Sequence, residues 1–151
     1  MRKIKAINIE ISSIAHATED PEKVLIAILN ILPEDLRGII RERIEYTDTY
    51  GHYKDPIRIY RIKIENNDAE KILSYILNRL SSSEKEILLL SLEDRYDPST
   101  RKLFIRLSKQ DAYKGEVSIG FDDDIIRIAV GISGAKNIKD LDNYLRSLIK
   151  K

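Results

Sequence analysis

The sequence contains no cysteine, no tryptophan and one methionine, and it has only four prolines and six glycines among 151 residues. The lack of cysteine excludes disulfide bonds, thiolate metal sites and a cysteine nucleophile. No apolar run is long enough to span a bilayer, and residues 1–11 alternate polar and apolar side chains instead of forming the apolar segment of a signal peptide. We therefore expect a cytoplasmic protein that does not enter a membrane.

The chain also has no large excess of positive or of negative side chains. The chain has 26 basic and 25 acidic side chains, for a net charge of +1. This balance is unlike that of a protein that coats nucleic acid, so any nucleic-acid surface must come from local segregation of charge, with binding that depends strongly on salt. The high content of Lys, Glu and Arg resembles heat-adapted proteins. The length and the apolar fraction of 42% predict a single globular domain over residues 1–151.

Motifs of catalysis and cofactor binding are absent as well. The sequence has no phosphate-binding glycine loop, no dinucleotide-binding glycine pattern and no nucleophile elbow. His16 and His52 are far apart in sequence and have no partner at metal-ligand spacing, and Asp122–Asp124 is more typical of a solvated turn than of a cation site. We therefore predict a protein that is not an enzyme and that has no catalytic residue, no metal and no cofactor.

The clearest local pattern that is present lies where a strand is followed by a helix, at residues 16–24. Asp20 can cap the first turn, Pro21 suits the first helical position, and the neighbouring acidic residues favour the positive end of the helix dipole. Another interpretation is that His16 and Thr18 face a ligand at the end of the strand. Capping explains these residue types without a ligand.

Hydrophobic periodicity predicts an alternation of strands and helices along the chain. The predicted strands are residues 4–14, 44–53, 57–65, 103–107, 117–121 and 126–132, and the main predicted helices are 21–32, 69–80, 83–94 and 138–148, with a short one near 36–40. Ser83 with Glu86 forms a predicted capping box for the helix that ends near Asp94, and Asn137 is the predicted cap of the last helix. Ile7, Ile9 and Ile11 are predicted to share one face of the first strand. Isoleucines that are out of phase predict bulges near Lys5 or Ala6 and near Tyr60 and Arg61. The element order predicts an α+β fold, with a largely antiparallel, or mixed, sheet and helices packed mainly on one face.

The segment from residue 101 to 114 combines cations with aromatic rings. Lys102, Phe104 and Arg106 share one face of a predicted strand, where a ring between two cations can stack on a base while the cations meet phosphates. The alternative is that Phe104 packs beneath a helix. The candidate RNA-binding residues are Arg101, Lys102, Phe104, Arg106, Lys109, Gln110, Tyr113 and Lys114.

Three stretches, called here motifs 1, 2 and 3, resemble one family of small archaeal proteins and occur in the same order. They are AHATEDPEKV at residues 15–24, LEDRYD at residues 92–97 and LSKQDAYKG at residues 107–115. The family is one of predicted RNA-binding subunits, or companions, of the archaeal exosome. The resemblance implies a fold similar to that of a large-subunit ribosomal protein that binds 5S ribosomal RNA. Lys109, Gln110, Tyr113 and Gly115 match the family pattern in motif 3. Two roles are open for Lys109 and Gln110, which either contact RNA or hold the loop by hydrogen bonds.

The leading prediction is a non-catalytic RNA-binding protein associated with archaeal RNA processing or with exosome proteins. Phosphate contacts are expected from Arg101, Arg106, Lys109 and Lys114, and base stacking from Phe104 or Tyr113. The rival prediction is a protein-interaction or structural module that self-associates, for example as a homodimer, through a sheet face or edge.

Overall fold

Six strands form one antiparallel sheet in the computed structural model, which describes residues 3–150. The strands are β1 (Lys5–Ala15), β2 (Glu45–Tyr50), β3 (Pro56–Glu65), β4 (Tyr96–Asp97), β5 (Lys102–Ser108) and β6 (Ile125–Ser133). The helices are α1 (Pro21–Asn30), α2 (Glu34–Arg43), α3 (Asn67–Arg79), α4 (Ser82–Leu90), α5 (Leu92–Arg95), α6 (Lys109–Tyr113) and α7 (Ile138–Leu148). Across the sheet the strands lie in the order β2-β3-β1-β6-β5-β4. The predicted α+β class with an antiparallel sheet is confirmed.

One face of the sheet is covered by helices and the other is not. Ile11 of β1, Ile105 of β5 and Ile128 of β6 are fully buried in one core, where α1 and α3 pack against β1. On the opposite face the side chains of the same strands are half-buried or exposed, and only Gly131, beneath the side chain of Asn8, is buried there. This second face is called the open face below. It is the surface on which the candidate site lies.

A bulge in β1 lets the strand pair with β3 on one side and with β6 on the other. The register between β1 and β6 shifts between Ala6 and Asn8, so that Ala6 and Ile9 both point into the core. The bulge predicted near Lys5 or Ala6 is therefore confirmed. The prediction that Ile7 shares the buried face with Ile9 is wrong, because Ile7 occupies the bulge and is exposed.

The second predicted bulge, near Tyr60 and Arg61, is wrong. β3 pairs with β1 and β2 without a shift of register. Ile59 lies on the open face, whereas Ile62 and Ile64 enter the core. The isoleucines were out of phase because this strand has apolar side chains on both faces.

The N-terminal caps of α1 and α7 are as predicted. The Asp20 carboxylate accepts a hydrogen bond from the Glu22 N–H at 2.9 Å, and the Asn137 side chain accepts one from the Asp140 N–H at 2.8 Å. Each bond satisfies an amide that has no partner within its helix. Local chemistry is sufficient to define these two helix starts.

The region after α3 differs from the prediction. Ser81, two residues before the predicted position, caps α4, and its hydroxyl accepts from the Glu84 N–H at 3.2 Å. The helix stops at Leu90 and α5 follows as a separate turn. The predicted strand at residues 117–121 is reduced to one bridge between Ile119 and Leu107.

Candidate nucleic-acid interface

Three arginines lie in one row across the open face. Arg106 of β5 is directly opposite Arg127 of β6, Arg127 is opposite Ser12 of β1, and Ser12 is opposite Arg61 of β3. Neighbouring strands are about 4.8 Å apart, so the row spans about 14 Å across four strands. We call Arg61, Arg106 and Arg127 the arginine row.

Like charges directly opposite each other destabilise a sheet. Arg106 and Arg127 form such a pair, and neither has a carboxylate within ion-pair distance among residues 3–150. Arg61 differs, because its Nε lies 3.6 Å from the Glu10 carboxylate. The positive charge at the Arg106 end of the row is therefore the less compensated, and an anion would relieve the repulsion there.

Phe104 lies next to this pair on the open face, opposite Ala129. Its ring is half-buried, and the Arg127 guanidinium carbon lies 5.6 Å from the ring centre, within the range of a cation–π contact. A groove of about 650 Å³ runs over this region. Its lining includes Ser12, Ile14, Ile59, Arg61, Phe104, Arg106 and Arg127. The groove thus combines a ring with guanidinium groups, as a surface that binds bases and phosphates requires.

The predicted phosphate contact of Lys109 is wrong, and the alternative of holding the loop is confirmed, because its side chain is buried, with 4% of the residue exposed. Its Nζ donates to the Ile14 carbonyl oxygen at 2.6 Å and lies 3.0 Å from both Glu19 Oε1 and Asp124 Oδ1. An ammonium has three donors, and all three have acceptors here. Lys109 therefore joins the end of β1, the loop before α1 and the start of β6, and its Nζ is not available to a phosphate.

Partial burial and the contact with Lys109 both change the pKa of the Asp124 carboxylate. Partial burial alone would raise the pKa of Asp124, but the hydrogen bond and charge of Lys109 outweigh it, and the pKa lies below its usual range. Gln110 Nε2 donates to the other oxygen of the same carboxylate at 3.1 Å. Gln110 thus stabilises the loop around Asp124, one of the two roles that the sequence allowed for it.

Tyr113 and Lys114 lie at the end of α6, away from the arginine row. The Tyr113 ring is exposed, and Lys23 Nζ of α1 lies 5.8 Å from its centre. α1 and α6 pack against each other, and a pocket of about 490 Å³ beside them is lined by residues of motifs 1 and 3, including Thr18, Lys23, Gln110, Tyr113 and Lys114. The two motifs are therefore neighbours in space although about 90 residues separate them in sequence.

Arg101 and Lys102 lie at the opposite end of β5, a strand about 20 Å long. Arg101 is in the preceding turn, with φ of 58°, whereas Lys102, opposite Gly131, lies on the open face with Phe104 and Arg106, as predicted. The eight residues predicted from the sequence thus lie in three places, the preceding turn, the open face of β5 and the region of α6, and do not form one patch. Arg61 and Arg127, which face the same groove, were missing from the prediction, because only strand register places them beside Arg106.

Comparison with known proteins identifies the family. Residues 8–132 match the sequence model of a family described as RNA binding. The chain belongs to this RNA-binding family.

Related proteins come from archaea. An uncharacterised protein of Methanocaldococcus jannaschii is 36% identical over 122 residues, which cover 80% of each chain. A protein of Pyrococcus abyssi, named as an RNA-binding protein, is 34% identical over 131 residues, covering 86% of this chain and 84% of the relative. The crystal structure of an Archaeoglobus fulgidus protein, described as belonging to DUF54, superposes with a TM-score of 0.75 at 30% identity and covers 95% of this chain and 99% of that one.

The two histidines of the chain, His16 and His52, have different surroundings. His16 is 4.0 Å from Glu19, and His52 lies against Tyr53 in the β2–β3 hairpin. Within residues 3–150, no three His, Asp or Glu side chains are grouped so that they could hold a metal ion. Over the same residues, no helix has both the length and the apolar character needed to cross a membrane.

Proposed function

We propose that this member of the RNA-binding family binds RNA on its open face, with the arginine row contacting phosphates and Phe104 stacking on a base. The main observation in support is that Arg106 and Arg127 lie directly opposite each other in the sheet. A polyanion would relieve the repulsion between them. The family and the name of the Pyrococcus abyssi relative support RNA as that polyanion.

The proposed role is binding without catalysis. A guanidinium stays protonated in proteins and a phenyl ring carries no proton to transfer, so these groups bind RNA but do not act as a general base. End-labelled RNA incubated with the protein and Mg²⁺ should keep its length on a denaturing gel. Shortening of the RNA by the purified protein would contradict this part of the proposal.

The test is fluorescence anisotropy of labelled RNA at two salt concentrations. The double variant Arg106→Gln, Arg127→Gln should bind roughly tenfold or more weakly than the unchanged protein. The matched control is Arg41→Gln, Arg146→Gln, which removes the same charge from α2 and α7, where the side chains pair with Glu22 and Asp142. Equal loss in both double variants would mean that net charge, and not the open face, determines binding.

Participation in RNA processing in the cytoplasm, together with the exosome, is the narrower form of the proposal. Motifs 1, 2 and 3 support this narrower form, because they resemble the exosome-associated family. The same resemblance supports a likeness to a ribosomal protein that binds 5S RNA. Size-exclusion chromatography of this protein mixed with a purified archaeal exosome tests the association. Co-elution is expected, and separate elution at micromolar concentrations would contradict it.

A second candidate function, self-association, is favoured by β2. All six residues of this strand are exposed, and it lies at the edge of the sheet, where its outer backbone groups can pair with another strand. Sedimentation velocity over a range of concentrations separates the two hypotheses. A dimer that forms without RNA would favour self-association, whereas a monomer that binds RNA would favour the leading proposal.

A further inference from the structure

Both phenylalanines of the chain line one depression at the edge of the open face. Phe104 lies on β5, and Phe121 lies in the segment before β6 with 80% of the residue exposed. The depression has a volume of about 340 Å³, which is at the small end for ligand sites. The other residues that line it are Ser91, Asp94, Arg95, Arg106 and Gly120.

Two guanidinium groups line the same depression. Arg95 is held in place by the hydrogen bond from its Nε to Ser91 Oγ at 2.7 Å. Burial lowers the pKa of Arg95, Asp94 opposes this change, and the positive charge of Arg106 adds to it. The depression therefore brings together two cations that repel each other and two rings, of which one is almost wholly exposed.

The depression continues the groove over the arginine row, because Phe104 and Arg106 line both. A strand of RNA that follows the row from Arg61 towards Arg106 would cross β3, β1, β6 and β5 and then reach the depression. Stacking on a ring requires a base whose face is free, and bases within a duplex are covered by their neighbours.

We propose that the RNA bound by this protein is single-stranded and that one of its unpaired bases lies between Phe104 and Phe121, with the adjoining phosphates on Arg95 and Arg106. The inference rests on the proposed function, since it concerns the end of the same groove. It assigns to Phe121 and Arg95 a binding role that the arginine row alone does not require.

The test compares Phe121→Leu with Tyr53→Leu. Leucine keeps an apolar side chain but has no ring, and Tyr53, which is 87% exposed at the β2–β3 hairpin, is a matched aromatic residue outside the depression. The probes are a labelled single-stranded oligonucleotide of mixed sequence and the same strand annealed to its complement. Phe121→Leu should weaken single-strand binding roughly 5- to 100-fold, and Tyr53→Leu should change it less than about twofold.

The chain has no tryptophan, so Phe121→Trp introduces a single fluorescent reporter. Its emission should be quenched by the single strand. Equal affinity for single strand and duplex, an unchanged affinity of Phe121→Leu, or an unquenched reporter would each overturn the inference. If Arg106→Gln, Arg127→Gln still loses binding in that case, the proposed function stands without the base subsite, whereas no binding of either RNA at low salt removes both.

Discussion

At the scale of the residue, Arg106 illustrates a conflict between stability and the proposed binding of RNA. It is opposite Arg127 in the sheet and close enough to Arg95 to lower the pKa of that guanidinium, although burial is the larger cause. Arg106→Gln removes both repulsions. We expect this variant to raise the free energy of unfolding by about 0.2–1 kcal/mol while it weakens RNA binding. Urea denaturation at low and high salt measures the first effect, which should shrink at high salt. A less stable variant at low salt would contradict the repulsion.

Asp124 shows how the buried ammonium group of Lys109 holds the loop before β6 in place. Its pKa lies below the usual range, so its contribution to stability is complete above the ordinary carboxyl pKa of about 4 and is lost as the pH falls through the lower folded value. Asp124→Asn should therefore destabilise the protein by about 1–3 kcal/mol near neutral pH, because Lys109 loses one of its two carboxylate partners.

The difference between Asp124→Asn and the unchanged protein should disappear in acid, where both lack the charge. Urea unfolding at neutral pH and at successively lower pH values measures it. Asp123→Asn, at the exposed neighbouring carboxylate, is the control and should have little effect at either end of the range. A destabilisation by Asp124→Asn that persists unchanged in acid would mean that packing, and not the charge, is responsible.

At the scale of the element, α4 is connected to the segment that carries Phe121. Glu84 Oε1 accepts from the Ser81 hydroxyl at 2.9 Å, and its Oε2 accepts from the Ile119 N–H at 2.6 Å. Glu84→Ala leaves this partly buried amide without its acceptor, and we expect a loss of about 1–3 kcal/mol. Thermal unfolding measures it, with Glu86→Ala on the exposed side of the same helix as the control. Equal effects of the two changes would show that helix propensity alone accounts for the loss.

The prediction of elements succeeded where the signal is local. Asp20 and Asn137 cap their helices with side chains two and three residues from the amides that they bind. The prediction failed for the start of α4. Ser81 and Ser83 each precede a glutamate by three residues, and only packing selects Ser81 as the cap. The segment at residues 117–121 has the alternation of a strand, but its amides bind Glu84 and the Arg106 carbonyl oxygen instead of a continuous ladder.

At the scale of the whole molecule, a net charge of +1 leaves little general attraction for RNA. Binding should therefore come from the few arginines of the open face. Contacts of the arginine row with three phosphates of a single strand predict a slope of log K against log salt of about −2. Each Arg→Gln change in the row should reduce the slope by about 0.7, whereas Arg41→Gln, Arg146→Gln should leave it unaltered. Anisotropy titrations over a series of salt concentrations measure the slope, and one near zero would contradict phosphate contacts.

The sequence by itself determined the starts of α1 and α7, the alternation of the central strands and the balance of charge, because these depend on residues that are close in the chain. It also placed Phe104 and Arg106 on one face of β5. Only the tertiary structure decided that Arg61 and Arg127 join them and that Lys109 turns inward. Strand order and register come from pairing between distant segments, which no local pattern encodes, and the choice between solvent and a buried partner is made only when those segments meet.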